Sequence, residues 1–137
     1  MKFLFLLILL TVLTGCSAQA TPALKSVSVE EFEKVLEQEA VLLDIRTPEE
    51  FAQGQIAGAT LIDYYDAAFT CQLEELDKDK TYAIYCRSGS RSADTLALMQ
   101  ELGFVSVYDL SGGILAWNAA GNWREPPHTS TPPHENT

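Results

Sequence analysis

Apolar positions recur along this chain at two alternating periods, and that alternation is the first guide to its fold. Val29, Phe32, Val35 and Leu36 fall at helical intervals, and Ser28 with Glu31 has the spacing of a capping box, so a helix is predicted from about Val29 to Gln38. The run Val41 to Ile45 is β-favouring and ends at Arg46-Thr47-Pro48, as a buried strand would. Pro48, Glu49 and Glu50 suit a helix start, since proline tolerates the first turn and acids favour the positive end of the dipole; Gly54 stops it. A brief strand at Leu61-Ile62, a helix over 66–76 and a polar turn at Asp77 to Lys80 follow.

The second half repeats the scheme. Thr81 to Tyr85 reads as a strand leading to Cys86, and a helix from about Ser92 to Leu102 offers Ala93, Leu96, Ala97, Met99 and Leu102 to a sheet. Gly103 is its natural stop. Val105 to Tyr108 alternates as a strand, and Gly112-Gly113 opens a last helix through Trp117, closed by Gly121. Short apolar strands alternating with amphipathic helices predict an α/β domain, with a mostly parallel central sheet covered by helices on both faces. At 137 residues and 47% hydrophobic, the chain suffices for one such domain and its core. A formal charge of −10 argues against nonspecific binding to nucleic acid or to an anionic membrane surface.

The two ends read differently. Lys2 precedes an apolar stretch from Phe3 to Leu13 broken only by Thr11, and small residues follow, which is the layout of a secretory signal over residues 1–15. The stretch is too short for a comfortable bilayer span. Leu13-Thr14-Gly15-Cys16 resembles the lipobox of bacterial lipoproteins, and that resemblance implies a lipid anchor on Cys16 and a tether over 16–25. The domain would then face the periplasm or the extracytoplasmic side of the cell envelope; ordinary cleavage near Ala18 or Ala20 would remove Cys16 but lead to the same compartment. Residues 125–137 are rich in Pro, Ser, Thr and His without apolar periodicity, and are expected to be a disordered tail. The domain itself is expected over 26–124.

Candidate chemistry centres on Cys86. A parallel sheet binds ligands beyond the carboxyl ends of its strands, where loops enter helix N-termini, and Cys86 falls at such an end. The residues after it, Arg87, Ser88, Gly89, Ser90 and Arg91, can curl into a nest of inward-facing N–H groups backed by the next helix's dipole. Such a bowl favours a thiolate and lowers the thiol pKa from about 8.5. Arg87 and Arg91 would hold an anionic, sulfur-containing or oxyanionic substrate.

At this point the chain resembles the rhodanese family of sulfurtransferases. Leu43-Asp44-Ile45-Arg46 with Glu49, Glu50 and Phe51 is similar to the family's Asp-x-Arg-x-x-x-Glu-Phe motif, and Gly54 to Ala59 to its Gly-His-Ile-x-Gly-Ala motif. Cys86 to Arg91 resembles the catalytic loop, and Leu110 to Ile114 with Trp117 the closing Gly-Gly-x-x-x-Trp segment. The resemblance implies that Cys86 takes sulfane sulfur from a small sulfur-containing anion such as thiosulfate, or from a persulfide donor. A thiol or cyanide then accepts it, with no cofactor and no metal. It also implies that Asp44 and Arg46 brace the architecture near the loop. Its sulfur-transferring members have a six-residue loop, the length counted here from Cys86 through Arg91, whereas related phosphatases have one residue more. Gln55 stands where the family has histidine, which is expected to alter local structure more than chemistry.

Two alternatives accompany this reading. A rhodanese fold used only for docking would need no reactive cysteine, and a thiol redox protein would use Cys71 together with Cys86. Cys71, between Phe69 and Leu73 in a predicted helix, is expected to be a packed core thiol; as a resolving thiol it would have to lie close enough to Cys86 to bridge it. Tyr64, Tyr65 and Trp117 are expected in aromatic core packing, and His128 and His134 form a poor zinc signature.

Overall fold

A computed structural model describes residues 23–122. The signal segment 1–15, Cys16 and the tail over 125–137 with His128 and His134 lie outside the described residues, as do residues 123 and 124 at the end of the expected domain. The elements are β1 (Ala23–Val27), α1 (Val29–Glu37), β2 (Val41–Asp44), α2 (Pro48–Ala52), β3 (Thr60–Leu61), α3 (Phe69–Glu74), β4 (Thr81–Tyr85), α4 (Ser90–Glu101), β5 (Ser106–Leu110) and α5 (Gly113–Ala119).

All five strands pair in parallel, in the order β1-β5-β4-β2-β3. The central strands β2 and β4 are almost wholly buried, which is why they read as continuous apolar runs rather than alternating ones. From β2 the chain turns outward to β3, and from β4 it turns the other way to β5. The topological switch point therefore falls between the carboxyl ends of β2 and β4, at Asp44 and Cys86.

Two apolar clusters cover the sheet. On one face Leu43, Ile84 and Val107 meet Phe69, Leu73, Met99 and Phe104. On the other, Leu42, Ala83, Tyr85 and Leu110 meet Phe32, Val35 and Ile114, with Trp117 edge-on to Phe32. Phe32 is fully buried, and its burial contributes about 2 to 3 kcal/mol.

The helix starts follow the expected chemistry. The Ser28 hydroxyl accepts from the Glu31 N–H, and Thr47 with Glu50 forms a complete capping box at α2.

Four expectations are corrected. Residues 23–25, assigned to the tether, belong to edge strand β1, which pairs with β5 over its whole length. Helix α4 begins at Ser90 and turns Ser92, Thr95 and Met99 inward, leaving Ala93 and Ala97 exposed, because its inner face starts beneath the polar loop rather than on the apolar sheet. Cys71 is exposed: α3 spans only six residues, and Phe69 and Leu73 take its inner side. Tyr65 is 69% exposed, outside the core in which it was expected.

Candidate active site

Cys86 follows the last residue of β4 and is 1% exposed. Its Sγ accepts from the Gly89 N–H at 3.1 Å and from the Ser92 hydroxyl at 3.5 Å. Burial alone would disfavour the thiolate. The Ser92 hydroxyl and the N–H groups of Ser92, Gly89 and Ser88 outweigh it, and the Cys86 thiol is held below its ordinary value of 9.0.

The loop keeps this shape because α5 holds it from behind. The Ile114 N–H donates to the Cys86 carbonyl at 2.9 Å and the Leu115 N–H to the Arg87 carbonyl at 3.2 Å. These two carbonyls are thereby turned away from the sulfur, while the N–H groups that follow face it. The approach requires a glycine at 113: a Cβ there would stand 2.5 Å from the Cys86 carbonyl oxygen and 2.6 Å from that of Arg87, at a φ of +58°.

The two loop arginines separate in role. Arg87 is exposed and its side chain has no hydrogen bond or ion pair among the described residues. Arg91, expected to hold substrate, commits its fork to Glu50 through two hydrogen bonds of 2.9 Å, and lies over the Tyr65 ring. A guanidinium held bidentately by a carboxylate is a brace for the loop rather than a free anion clamp.

Asp44 and Arg46 form a buried ion pair. Arg46 Nη2 donates to Asp44 Oδ2 at 2.6 Å and to the Gly54 carbonyl at 2.8 Å, both residues being buried. Burial works against the Arg46 charge, and the Asp44 carboxylate more than restores it. The Tyr85 hydroxyl joins them, donating to Asp44 Oδ2 at 2.7 Å and accepting from the Ile56 N–H at 3.1 Å. The segment carrying Gln55 is thus tied to the end of β2, while Gln55 itself is exposed.

Sequence reasoning ran the loop from Cys86 through Arg91, whereas Ser90 and Arg91 already belong to α4, and it gave three contributors no role beside the sulfur. Glu50 and Gly113 were read as helix-start residues and as positions in the motifs that resemble the rhodanese family, and Ser92 only as a helix boundary. The capping-box spacing from Thr47 to Glu50 was the one local signal, and it points to the helix rather than to Arg91. Cys71 and Cys86 are both free thiols. Among the described residues no group of three or more His, Cys, Asp or Glu side chains lies together in a way that could hold a metal ion.

Comparisons with known proteins agree with this geometry. Residues 28–120 match the family model described as a rhodanese-like domain. A sulfurtransferase of Allochromatium vinosum is 39% identical over 84 residues, covering 61% of this chain and 77% of that protein. A putative sulfurtransferase of Bacillus subtilis is 41% identical over 81 residues, covering 59% and 76%. Among solved structures, a rhodanese-related protein of Thermoplasma volcanium superposes with a TM-score of 0.63 at 29% identity, over 71% of this chain and 93% of that one.

Proposed function

The chain belongs to the rhodanese-like domain family, and from that premise we propose that it is a sulfurtransferase carrying sulfane sulfur as a Cys86 persulfide. The observation that carries the reading is the buried Cys86 Sγ, solvated by Gly89 N–H and the Ser92 hydroxyl instead of water. Sulfurtransferases of similar sequence support it.

The thiolate attacks the outer sulfur of a donor such as thiosulfate. A bond forms between the two sulfurs, the donor's own S–S bond breaks, and its electron pair leaves on sulfite. The persulfide's terminal sulfur then occupies the bowl of N–H groups. A thiol or cyanide acceptor attacks that sulfur, the enzyme's S–S bond breaks, and Cys86 returns as thiolate, so the cycle needs no outside oxidant or reductant. Arg87 meets the incoming anion, and Arg91 with Glu50 keeps the loop in shape.

The same reading puts the domain on the extracytoplasmic side of the cell envelope, anchored through lipid on Cys16. The apolar run from Phe3 to Leu13 and the sequence Leu13-Thr14-Gly15-Cys16 support it. Labelling with a radioactive fatty acid, lost in Cys16→Ser, tests the anchor.

The activity is tested by exposing reduced protein to thiosulfate, with intact mass, peptide localisation of the added sulfur and thiocyanate formation from cyanide as readouts. One sulfur atom on Cys86, with turnover abolished in Cys86→Ala, is the expected result. A folded, reduced protein that takes up no sulfur from thiosulfate or from a persulfide donor overturns the reading.

A further inference from the structure

Strand register fixes where the chain enters the domain relative to its reactive sulfur. Ala23, the first residue of β1, pairs with Ser106 of β5, and Ser106 also pairs with Thr81, the first residue of β4. Ser26 and Ile84 likewise meet at Asp109, two residues short of Cys86. All the strands being parallel, Ala23 lies at the amino end of the sheet and Cys86 at the carboxyl end. The length of β4 separates these two levels by about 17 Å. Arg87 and Ser88, both exposed, extend the carboxyl end past Cys86. Asp79, exposed in the turn that enters β4, marks the amino end.

The connection to Cys16 is short. Because residues 23–25 belong to β1, only residues 17–22 lie between the proposed lipid-bearing cysteine and the sheet. Drawn straight, the chain from Cys16 to Ala23 reaches about 25 Å. Turning the carboxyl end of the sheet toward a bilayer would lift Ala23 by about 17 Å and by the depth of the loop beyond Cys86 as well. The connection would then have to run almost straight down the flank of the domain, losing nearly all its conformational freedom. With the amino end toward the bilayer, no such stretching is needed.

We propose that the lipid anchor holds the domain with the amino end of its sheet toward the membrane and the Cys86 loop toward the aqueous phase, so that the sulfur donors and acceptors it serves are water-soluble rather than membrane-embedded. This direction rests on the anchor proposed above and adds to it which end of the domain is presented. Arg87, exposed and without a side-chain partner among the described residues, then faces the side from which a dissolved anion arrives.

The test uses the acylated protein, purified from membranes in detergent and reconstituted into vesicles of phosphatidylcholine and phosphatidylglycerol. In a Cys71→Ser, Cys86→Ser background a fluorophore is attached at Asp79→Cys or at Ser88→Cys, and its quenching by a nitroxide on lipid headgroups is measured. Quenching is expected to be stronger at Asp79 by about twofold or more, given the separation along the strand. Quenching that does not differ, or that favours Ser88, overturns the proposal. Inserting enough Gly and Ser between Ala20 and Thr21 to add about 50 Å of reach is expected to abolish the difference. A difference that persists overturns the short connection as its cause. In the protein without substitutions, iodoacetamide alkylation is followed at the Cys86 peptide by mass spectrometry, so that Cys71 does not contribute. Its rate is expected to be the same on vesicles as in detergent, and a slower rate on vesicles overturns the outward-facing loop. Fatty-acid labelling separates the two readings: acylated protein with equal quenching refutes the direction alone, whereas protein that takes up no fatty acid refutes the anchor and the direction together.

Discussion

Arg91 and Glu50, 41 residues apart in the chain, face each other through two hydrogen bonds of 2.9 Å that join the first turn of α4 to α2. Glu50 Oε2 also accepts from the Thr47 N–H at 3.1 Å, so one carboxylate caps a helix and, through Arg91, braces the segment that follows Cys86. The Arg91 hydrogen bonds, opposed by partial burial and aided by Thr47, take the Glu50 carboxyl from 4.5 to about 2. A depressed carboxyl contributes stability that is fully present above 4.5 and lost as the pH falls toward about 2. Glu50→Gln is expected to cost about 1 kcal/mol at neutral pH, the pair being partly solvated. Urea unfolding checks this, with the gap between the two proteins narrowing by about pH 3.

Gly113 and Gly58 both have positive φ, of +58° and +86°, yet their surroundings differ. Around Gly58 there is no atom within 4 Å of an added Cβ, whereas at Gly113 the backbone carbonyls of Cys86 and Arg87 fill that space. Gly58→Ala is expected to cost only backbone strain, about 1 kcal/mol. Gly113→Ala adds a clash that can be relieved only by moving the loop, at a cost on the order of 3 kcal/mol or more. Denaturant unfolding ranks the two, and the Cys86 alkylation rate is expected to change only in Gly113→Ala.

The buried pair of Asp44 and Arg46 behaves differently from the pair at the loop. Asp44 is fully buried and receives hydrogen bonds from Arg46 and Tyr85, so Asp44→Ala strands a guanidinium and a phenol together. The expected loss is about 3 to 5 kcal/mol. Tyr85→Phe leaves the ion pair intact and removes one donor and the acceptor for Ile56 N–H, so about 1 to 2 kcal/mol is expected. Unfolding free energies measure both, and an Asp44→Ala cost no larger than that of Tyr85→Phe would refute the role given to the pair.

The parts of this molecule that were legible in sequence are those set by local pattern. β2 and β4 are apolar runs because both their faces are covered, α1 announces itself through Ser28, and α2 through Pro48 and the two acids after it. Cys86 and its loop were legible because a strand end, a glycine and a helix start occur in succession. What could not be read depends on tertiary neighbours. β1 has one partner strand and two exposed residues, so its alternation is weak. The inner face of α4 was legible in part: Leu96, Met99 and Leu102 pack on the sheet cluster as expected, but Ser92 and Thr95 are buried while Ala93 and Ala97 face solvent. The commitment of Arg91 to Glu50 arises only when α2 and α4 come together.

Ser92 connects legibility with chemistry, since its hydroxyl is the first of the groups that hold the Cys86 thiol below 9.0 against the effect of burial. Ser92→Ala keeps the helix and the backbone N–H groups but removes that donor. The Cys86 alkylation midpoint is expected to rise by about half a unit to one unit, since a hydrogen bond to a charged group is worth on the order of 1 to 2 kcal/mol. A thiol with a lowered folded-state pKa contributes stability that is fully present above 9.0 and lost as pH falls through the folded value. The wild-type protein therefore gains stability between those two points, and Ser92→Ala is expected to gain less over the same interval. Paired alkylation and urea-unfolding profiles measure the two effects independently. A midpoint unmoved by Ser92→Ala would return the thiolate's stabilisation to the loop N–H groups alone.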